Sequence, residues 1–471
     1  MSHTVSRRGL LKLFSRLERR GKGLLPALER KLARANDLLS VASLDLVRVR
    51  LYDGTRAARD KAQVVCDLLD AWLADQKEPQ VRLTDAFDED PIWKLGLDAA
   101  LDDLLREIAL LDEGLRMVRE RLETDMRRAE ELAPLLNEVN GVSRRLANAS
   151  DALRSALRPG AEASKRVRWI EAVGGNSEAG AENRNVSVAS VPLDLAPILR
   201  EDLFRRVETC VVTSATLAVG DGFGFIAGRL GLDQDDVEPV TAVLPSPFDY
   251  SRQAVLAIPT DFPAPNEDGP LHFRRTVQAG ADLVEAAGGG VFLLFTSHRD
   301  VREAAQVLRA LGAEGRWPLL VHGEAPRDVL LRRFREQGDS VLVGTASFWE
   351  GVDVPGRALR GLLLSRVPFR VPTEPVTAAQ CEAIEANGGD AFADYMVPHA
   401  ALRLKQGFGR PIRTATDRGS VVLCDPRVLR KSYGRALLSG LPPARRLEAD
   451  WPTLRAELTR FYSEPISHAS G

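Results

Sequence analysis

The stretch SVLVGTASFWEGVDVPG, residues 340–356, begins as an apolar strand and ends in glycines, hydroxyls and carboxylates. Other short apolar runs in the same part of the chain are QAVLAI (253–258), VFLLFTS (291–297), PLLVH (318–322), GLLLS (361–365) and SVVLC (420–424). Helical stretches separate these runs, and this alternation predicts a parallel sheet with helices on both faces. The sequence therefore predicts an α/β domain from about residue 245 to the end.

The first 160 residues have a different, helical pattern. Apolar side chains recur every three or four residues at Leu101, Leu104, Leu105, Ile108, Leu111, Leu115, Val118, Leu122 and Met126, which is typical of one long amphipathic helix. Prolines 91, 134 and 159 are predicted to mark breaks between helices. An all-α domain is expected here.

Positive charge is concentrated at the start of this helical region. Residues 1–50 contain 12 Lys or Arg against 4 Asp or Glu, although the whole chain has a net charge of only −2. Two interpretations are open: a solvated helix face, or a surface that contacts phosphate groups.

Between these regions, VRWIEAV (167–173), VSVASV (186–191) and TCVVTSATL (209–217) are predicted strands, and the polar loop 174–185 separates the first two. The chain is 44% apolar and 28% charged, which is ordinary for a protein with sizeable cores. Its four cysteines form no CxxC pair, so a zinc or iron–sulfur site is not expected. Charges interrupt the segment after Arg7-Arg8, which argues against a twin-arginine export signal, and no run has the length of a membrane span. A cytoplasmic location without membrane partners is expected.

Three of the apolar runs end in polar clusters. Ser214 and Thr216 follow VVT, Thr296 and Ser297 follow VFLLF, and the third cluster contains Thr345, Glu350, Gly351 and Asp353. Hydroxyl groups and glycine backbone can bind phosphate oxygens, and ligands of parallel sheets bind at the carboxyl ends of the strands. Each cluster alone is weak evidence, because polar turns follow strands in most proteins.

The order of the clusters is more specific. The series TSATL (213–217), LFTS (294–297), GTASFWEGVDVPG (344–356) and QGFGRPIR (406–413), with SPFDY at 246–250, resembles the later motifs of superfamily 2 DNA helicases, and most of all the DinG-like branch of the XPD/DinG group. The resemblance implies a motor of two RecA-like lobes with ATP in the cleft between them, single-stranded DNA across their top, and a helical arch inserted in the first lobe.

The resemblance also implies roles for individual residues. Arg410 and Arg413 are candidate arginine fingers on the γ-phosphate, and Gln406 is a nucleotide or interdomain contact. Nucleotide coupling is implied for Glu350, Gly351, Asp353, Ser214 and Thr216, and DNA-backbone contacts for Thr296, Ser297, His322 and Thr345. Pro411 lies between the two arginines and restricts Arg410, so either arginine is open as the phosphate contact. For Phe348 and Trp349, base stacking and core packing are both open.

Two motifs that this motor needs do not occur. The only Gly-Lys is Gly21-Lys22, which fits no G-x-x-x-x-G-K-[ST] loop, and neither Asp88-Glu89 nor Asp112-Glu113 follows a strand. The family's four-cysteine iron–sulfur insert is also absent. We therefore expect an incomplete site for ATP with Mg²⁺, and a chain that divides into an arch-like domain (1–165), the remainder of lobe 1 (166–245) and lobe 2 (246–471).

The leading hypothesis is the C-terminal part of a DinG-like ATP-dependent DNA helicase, inactive alone and completed by an N-terminal helicase half in trans. Its expected substrates are single-stranded DNA or DNA junctions. The alternative is a non-enzymatic module that binds single-stranded nucleic acid without dependence on ATP. An unrelated α/β enzyme is disfavoured, since the chain has neither a GxSxG nor an HExxH motif.

Overall fold

The computed structural model describes residues 2–34, 37–76, 78–124, 126–173, 184–219, 222–233, 239–348 and 358–464. The chain separates into two compact units, Met1–Asp194 and Leu195–Gly471. Within the described residues, no helix is both long enough and apolar enough to cross a membrane.

The first unit is mainly helical, as the sequence predicts. Its helices are α1 (Arg7–Glu18), α2 (Leu24–Leu32), α3 (Leu38–Leu46), α4 (Tyr52–Ala74), α5 (Asp85–Asp88), α6 (Leu97–Glu123) and α7 (Met126–Leu157). The stripe that begins at Leu101 is buried along α6. Pro91 opens a short 3₁₀ turn and residue 159 follows α7, but Pro134 lies inside α7, so the predicted break there is wrong. The buried neighbours Leu132 and Leu136 keep this part of α7 packed in the core despite the lost backbone donor.

A four-stranded antiparallel sheet completes the unit. Its strands are β1 (His3–Ser6), β2 (Gln80–Leu83), β3 (Arg166–Val173) and β4 (Asn185–Pro192), in the order β1-β4-β3-β2. Residues 166–192 thus pair with strands of the helical region, and the observed division at 194/195 does not coincide with the predicted boundaries at 165/166 and 245/246. The assignment of residues 166–245 to a RecA-like lobe stays a prediction.

One ion pair is built into the packing of the first unit. The side chain of Arg168 on β3 is 2% exposed, and its guanidinium donates to both oxygens of Asp88 at 3.0 and 3.2 Å. Its Nη1 also donates to the carbonyl of Ala156 in α7. The Asp88 carboxylate at the end of α5 therefore pairs with the buried guanidinium of Arg168. This position on a helix agrees with the expectation that Asp88-Glu89 is not a strand-borne magnesium motif.

The second unit contains the predicted parallel sheet. Its strands are β5 (Ala254–Pro259), β6 (Val291–Phe295), β7 (Leu319–Val321), β8 (Val341–Thr345), β9 (Gly361–Leu364), β10 (Gly419–Leu423) and β11 (Arg445–Ala449), in the order β11-β5-β10-β9-β6-β8-β7. Every described pair in it is parallel. Apolar cores lie on its two faces, one containing Leu362 and the other Leu363.

The helices of this unit are α8 (Ala196–Asp202), α9 (Gly224–Leu230), α10 (Tyr250–Gln253), α11 (Gly269–Ala287), α12 (His298–Ala310), α13 (Arg327–Gln337), α14 (Pro375–Ala386), α15 (Val397–Phe408), α16 (Arg427–Arg430), α17 (Gly434–Ser439) and α18 (Trp451–Ser463). A turn of three glycines, 288–290, joins α11 to β6. Gly289 has φ +85°, and a Cβ there would lie 2.1 Å from the carbonyl oxygen of Asp339, so only glycine fits. This close turn lets β6 begin directly after α11.

The predicted strand TCVVTSATL does not form. Residues 207–214 pair with no strand among the residues that the structure describes, and Val211 is 82% exposed. A second stretch, 239–247, is equally exposed and includes Val240, Val243 and Leu244. We call these two stretches the exposed segments. Their composition suits a strand, but a strand needs a neighbour to take its backbone hydrogen bonds.

Candidate functional site

One group of predicted residues lies at the carboxyl edge of the parallel sheet. Thr296 and Ser297 follow β6, Thr345 ends β8 and His322 follows β7, and these three strands are neighbours in the order β6-β8-β7. The Thr345 hydroxyl and Nδ1 of His322 are 3.2 Å apart. Ser297 caps α12 by accepting a hydrogen bond from the backbone N–H of Asp300 at 3.0 Å. The fold therefore brings all four predicted DNA contacts to one edge.

The ring of His322 is packed between neighbours. It lies 4.4 Å from the His298 ring and 4.6 Å from the Phe348 ring, measured between centroids. Burial, with His298 and Arg327 close by, lowers the pKa of His322 below its usual value. A neutral His322 can exchange a hydrogen bond with Thr345 but adds no positive charge to this edge.

The structure decides between base stacking and core packing for one of the two aromatic residues after β8. Phe348 is fully buried, so its side chain packs in the core and does not offer a face for a base; of the two interpretations, core packing is confirmed for Phe348. Trp349, Glu350, Gly351 and Asp353 lie outside the described residues. The predictions for Glu350, Gly351 and Asp353 as coupling residues therefore stay predictions.

The arginine loop, residues 409–418, lies at the opposite edge of the sheet. It joins the end of α15 to the first residue of β10, so it sits at the amino edge of a sheet whose described strands are all parallel. Arg410 and Arg413 thus precede a strand, whereas Thr296, Ser297 and Thr345 lie at the carboxyl ends of strands. The sequence does show that these arginines precede SVVLC, and that order would have been enough to place them.

Two buried polar side chains fix the arginine loop. The Asp417 carboxylate accepts hydrogen bonds from the backbone N–H groups of Arg413 and Thr414 at 2.8 and 2.7 Å. Nε2 of Gln253 donates to the carbonyls of Thr414 and Asp417, both at 2.9 Å. Sequence reasoning missed both residues, although an aspartate a few residues beyond a turn is a common backbone cap. The loop backbone is thus held by Asp417 from within and by Gln253 at the end of α10, directly before β5.

The two arginines differ in exposure. Pro411 and Ile412 between them are buried, Arg410 is partly buried, and Arg413 is exposed. Arg413 lies near Tyr250 of the SPFDY motif. Burial raises the pKa of Tyr250, and the positive charge of Arg413 opposes that rise. A guanidinium on a fixed loop with an exposed end can meet an anion that approaches from outside.

The remaining predicted residues lie beside the end of α15. The Ser214 and Thr216 hydroxyls are 3.2 Å apart, and the Thr216 N–H donates to Ser214 Oγ in a local turn. Nζ of Lys405 donates to the carbonyl of Ala218, 3.4 Å away, which connects this turn to the helix that carries Gln406. Sequence reasoning missed Lys405, although it directly precedes Gln406. The TSATL turn, Gln406 and the arginine loop thus belong to one side of the sheet.

The described residues fit part of a nucleotide site. Lys405, Arg410 and Arg413 provide positive charges for phosphate groups. No group of three or more His, Cys, Asp or Glu side chains suited to a metal ion occurs within the described ranges. The Mg²⁺ that accompanies ATP takes as few as one or two protein carboxylates, and the predicted coupling residues Glu350 and Asp353 lie outside those ranges. We therefore derive no step through a metal ion.

Comparisons with known proteins agree with the predicted resemblance. Residues 281–444 match the family described as "Helicase C-terminal domain". The chain is 38% identical over 282 residues to the "ATP-dependent DNA helicase YoaA" of Escherichia coli, an overlap of 60% of this chain and 43% of the relative. It is 32% identical over 333 residues to the "ATP-dependent helicase DinG" of Mycobacterium tuberculosis, with 70% and 47% covered. The chain thus spans less than half the length of these relatives.

A solved structure supports the fold. The structure titled "XPD_Helicase" is similar to this chain with a TM-score of 0.50 over 95% of this chain and 65% of that one, at 11% sequence identity. At that identity the likeness concerns the fold alone. The sequence relatives thus confirm the predicted resemblance to DinG-like helicases, and the solved structure agrees with the predicted α/β class.

Proposed function

We propose that this chain, which resembles the DinG-like branch of the superfamily 2 helicases, is the C-terminal part of an ATP-dependent DNA helicase. The single observation that supports this most strongly is the arginine loop. Asp417 fixes the loop from within and Gln253 ties its backbone to the end of α10, while Arg413 stays exposed beside Tyr250. A rigidly mounted cation of this kind can stabilise charge that develops on a transferred phosphoryl group.

The proposal assigns separate tasks to the two edges of the sheet. At the amino edge, Arg410, Arg413 and Gln406 act on the nucleotide, and the TSATL turn senses its state. At the carboxyl edge, Thr296, Ser297, His322 and Thr345 contact the backbone of single-stranded DNA or a DNA junction. Because both edges belong to the same sheet, a shift of the sheet on nucleotide binding would move the DNA contacts as well.

We further propose that an N-terminal helicase half, acting in trans, completes the motor. The exposed segments support this, since valines and leucines of strand-forming sequence lie in solvent with their backbone groups available. Neither a G-x-x-x-x-G-K-[ST] loop nor a strand-borne Asp-Glu pair is found in the sequence of this chain. The chain alone is therefore expected to hydrolyse ATP poorly, and the purified N-terminal half of a DinG-like helicase should restore DNA-stimulated hydrolysis.

Arg413→Ala tests the proposed chemistry in the reconstituted motor. ATP turnover should fall about a thousandfold, the lower end of what an arginine finger contributes, while DNA affinity stays close to that of the wild type. Arg335→Ala is the matched control, because Arg335 is also exposed but lies on α13, which packs against the edge strand β7 and its neighbour β8. Equal losses of turnover and DNA binding for Arg413→Ala would show that the arginine is structural.

Hydrogen exchange tests the partner separately. Backbone amides of the exposed segments should exchange fast in the chain alone and slow down when the N-terminal half is added, because new strand pairs protect them. Amides of β6 provide an internal control that is protected in both states. Restored hydrolysis with unprotected segments would refute this binding mode, whereas ATP-independent DNA binding with no restored hydrolysis would favour the non-enzymatic module.

A further inference from the structure

Charge is divided unevenly within the first unit. Residues 1–50 carry 12 Lys or Arg and 4 Asp or Glu, whereas residues 51–194 carry 20 Lys or Arg and 28 Asp or Glu. Residues 1–194 as a whole are thus neutral, and their excess of positive charge lies in the first 50 residues.

The structure places the positive side chains on one continuous, exposed surface. Lys12 and Arg16 are one helical turn apart on α1, and the surface continues through the turn to α2, because Nη2 of Arg30 donates to the carbonyl of Gly21 at 3.4 Å. A shallow groove of about 220 Å³ between α2 and α7 is lined by Arg30, Lys31 and Arg34. The basic surface, as we call it, consists of Lys12, Arg16, Arg19, Arg20, Lys22, Arg30, Lys31 and Arg34.

The acidic residues of these helices do not neutralise the basic surface. Glu18 of α1 pairs with Arg56 and Arg59, and Glu29 of α2 pairs with Arg48. No ion pair joins any member of the basic surface to a carboxylate in the described part of the chain. Its charges therefore repel one another in the free protein, at a cost that a bound polyanion would remove.

Helix dipoles explain only part of this arrangement. Arg16, Arg19 and Arg20 lie near the carboxyl end of α1, where positive charge is favoured. Lys22, in contrast, precedes the N-cap Gly23 of α2 and so lies near the end of the helix where a cation is disfavoured. Its position in the surface points to an external anion.

A membrane is the less suitable partner. An interfacial helix exposes an apolar face beside its cations, but Leu10, Phe14 and Leu17 of α1 are all buried in the core of the unit. A nucleic-acid backbone requires no such apolar face and binds rows of lysine and arginine. We propose that the basic surface docks the phosphate backbone of a nucleic-acid strand, independently of ATP and of the strand-end residues in the second unit.

The test compares two triple variants of the full chain. Lys12→Gln, Arg16→Gln and Arg20→Gln remove three charges from the basic surface. Lys61→Gln, Arg106→Gln and Arg116→Gln remove three from elsewhere in the same unit, where each cation pairs with a carboxylate. Binding of a fluorescent single-stranded oligodeoxynucleotide is measured by anisotropy over a range of salt concentrations, without nucleotide, and circular dichroism confirms that both variants fold.

Loss of three phosphate contacts should lower the magnitude of the slope of log K against log salt by about 2, since each contact on a single strand contributes about 0.7. Affinity at low salt should drop at least about tenfold in the first variant and change little in the second. Lys22→Glu alone should also weaken binding, and it provides a test if the triple variant fails to fold. Equal effects in both triple variants, or loss of binding only to phosphatidylserine vesicles, would overturn the proposal.

Discussion

The strand β6 and the exposed segment at 207–214 have similar sequences and different fates. VFLLFTS contributes a fully buried strand between β9 and β8, followed by a helix that Ser297 caps. TCVVTS carries the same pattern of apolar residues followed by Thr-Ser, yet it lies in solvent without a described partner strand. The difference shows that strand formation depends on neighbouring strands as much as on the local sequence.

The largest expected effect comes from truncating a side chain in the paired strand. Phe292 of β6 is 1% exposed and packs edge-on against Phe334 of α13, with ring centroids 4.6 Å apart. Phe292→Ala should lower the free energy of unfolding by about 3–5 kcal/mol, because it leaves a cavity in the core. Val211→Ala in the exposed segment should change it by less than about 0.5 kcal/mol. Urea unfolding followed by circular dichroism measures both, and similar losses would mean that the exposed segment is packed after all.

A second prediction concerns α9, the helix between the two exposed segments, and its contacts with α15. Phe225 of α9 contacts His399 of α15 edge to face, and Arg229 donates to Gln380 at 2.9 Å. Burial, with Arg370, Arg229 and Arg403 close by, lowers the pKa of His399 to about 3. The folded chain thus leaves His399 neutral where the unfolded chain protonates it, so stability is lost as the pH falls from about 6.5 towards 3.

His399→Gln removes this source of acid sensitivity. The wild type should lose about 1 kcal/mol more of its unfolding free energy between pH 7 and pH 5 than the variant does, after allowance for the partial exposure of the ring. Urea unfolding at the two pH values measures this difference. Identical pH dependence in the two proteins would mean that His399 takes up a proton as readily in the folded chain as in the unfolded one.

The smallest expected effect on stability comes from comparing Ser297, which follows β6, with Ser214 in the exposed segment. Ser297→Ala should destabilise the protein by about 1 kcal/mol, since the N-terminus of α12 loses its cap. Ser214→Ala removes a hydrogen bond within an exposed turn and should cost no more than a few tenths of a kcal/mol. Thermal unfolding of the two variants gives the ranking, and a larger cost for Ser214→Ala would reverse the comparison.

Sequence patterns predicted the repetitive parts of this fold well, for physical reasons. Helix α6 and the strands of the parallel sheet repeat one environment over many residues, and Thr296, Ser297, His322 and Thr345 follow such strands directly. The antiparallel sheet was harder to predict, because β1 and β2 are four residues each and pair with strands more than eighty residues away. The roles of Asp417 and Gln253 in fixing the arginine loop were equally hard to predict, because Gln253 lies 161 residues before its acceptor Thr414.

The pairing of β1 with β4 has a mechanical consequence. His3 lies opposite Ser190 and Ser6 opposite Ser187, so the chain enters the first unit beside the point where it leaves. Tension applied between residues 2 and 194 would open this strand pair one hydrogen bond after another, rather than shear all of its bonds at once. The unit should therefore yield at low force in an optical trap, peeling from its ends before its helical core is loaded.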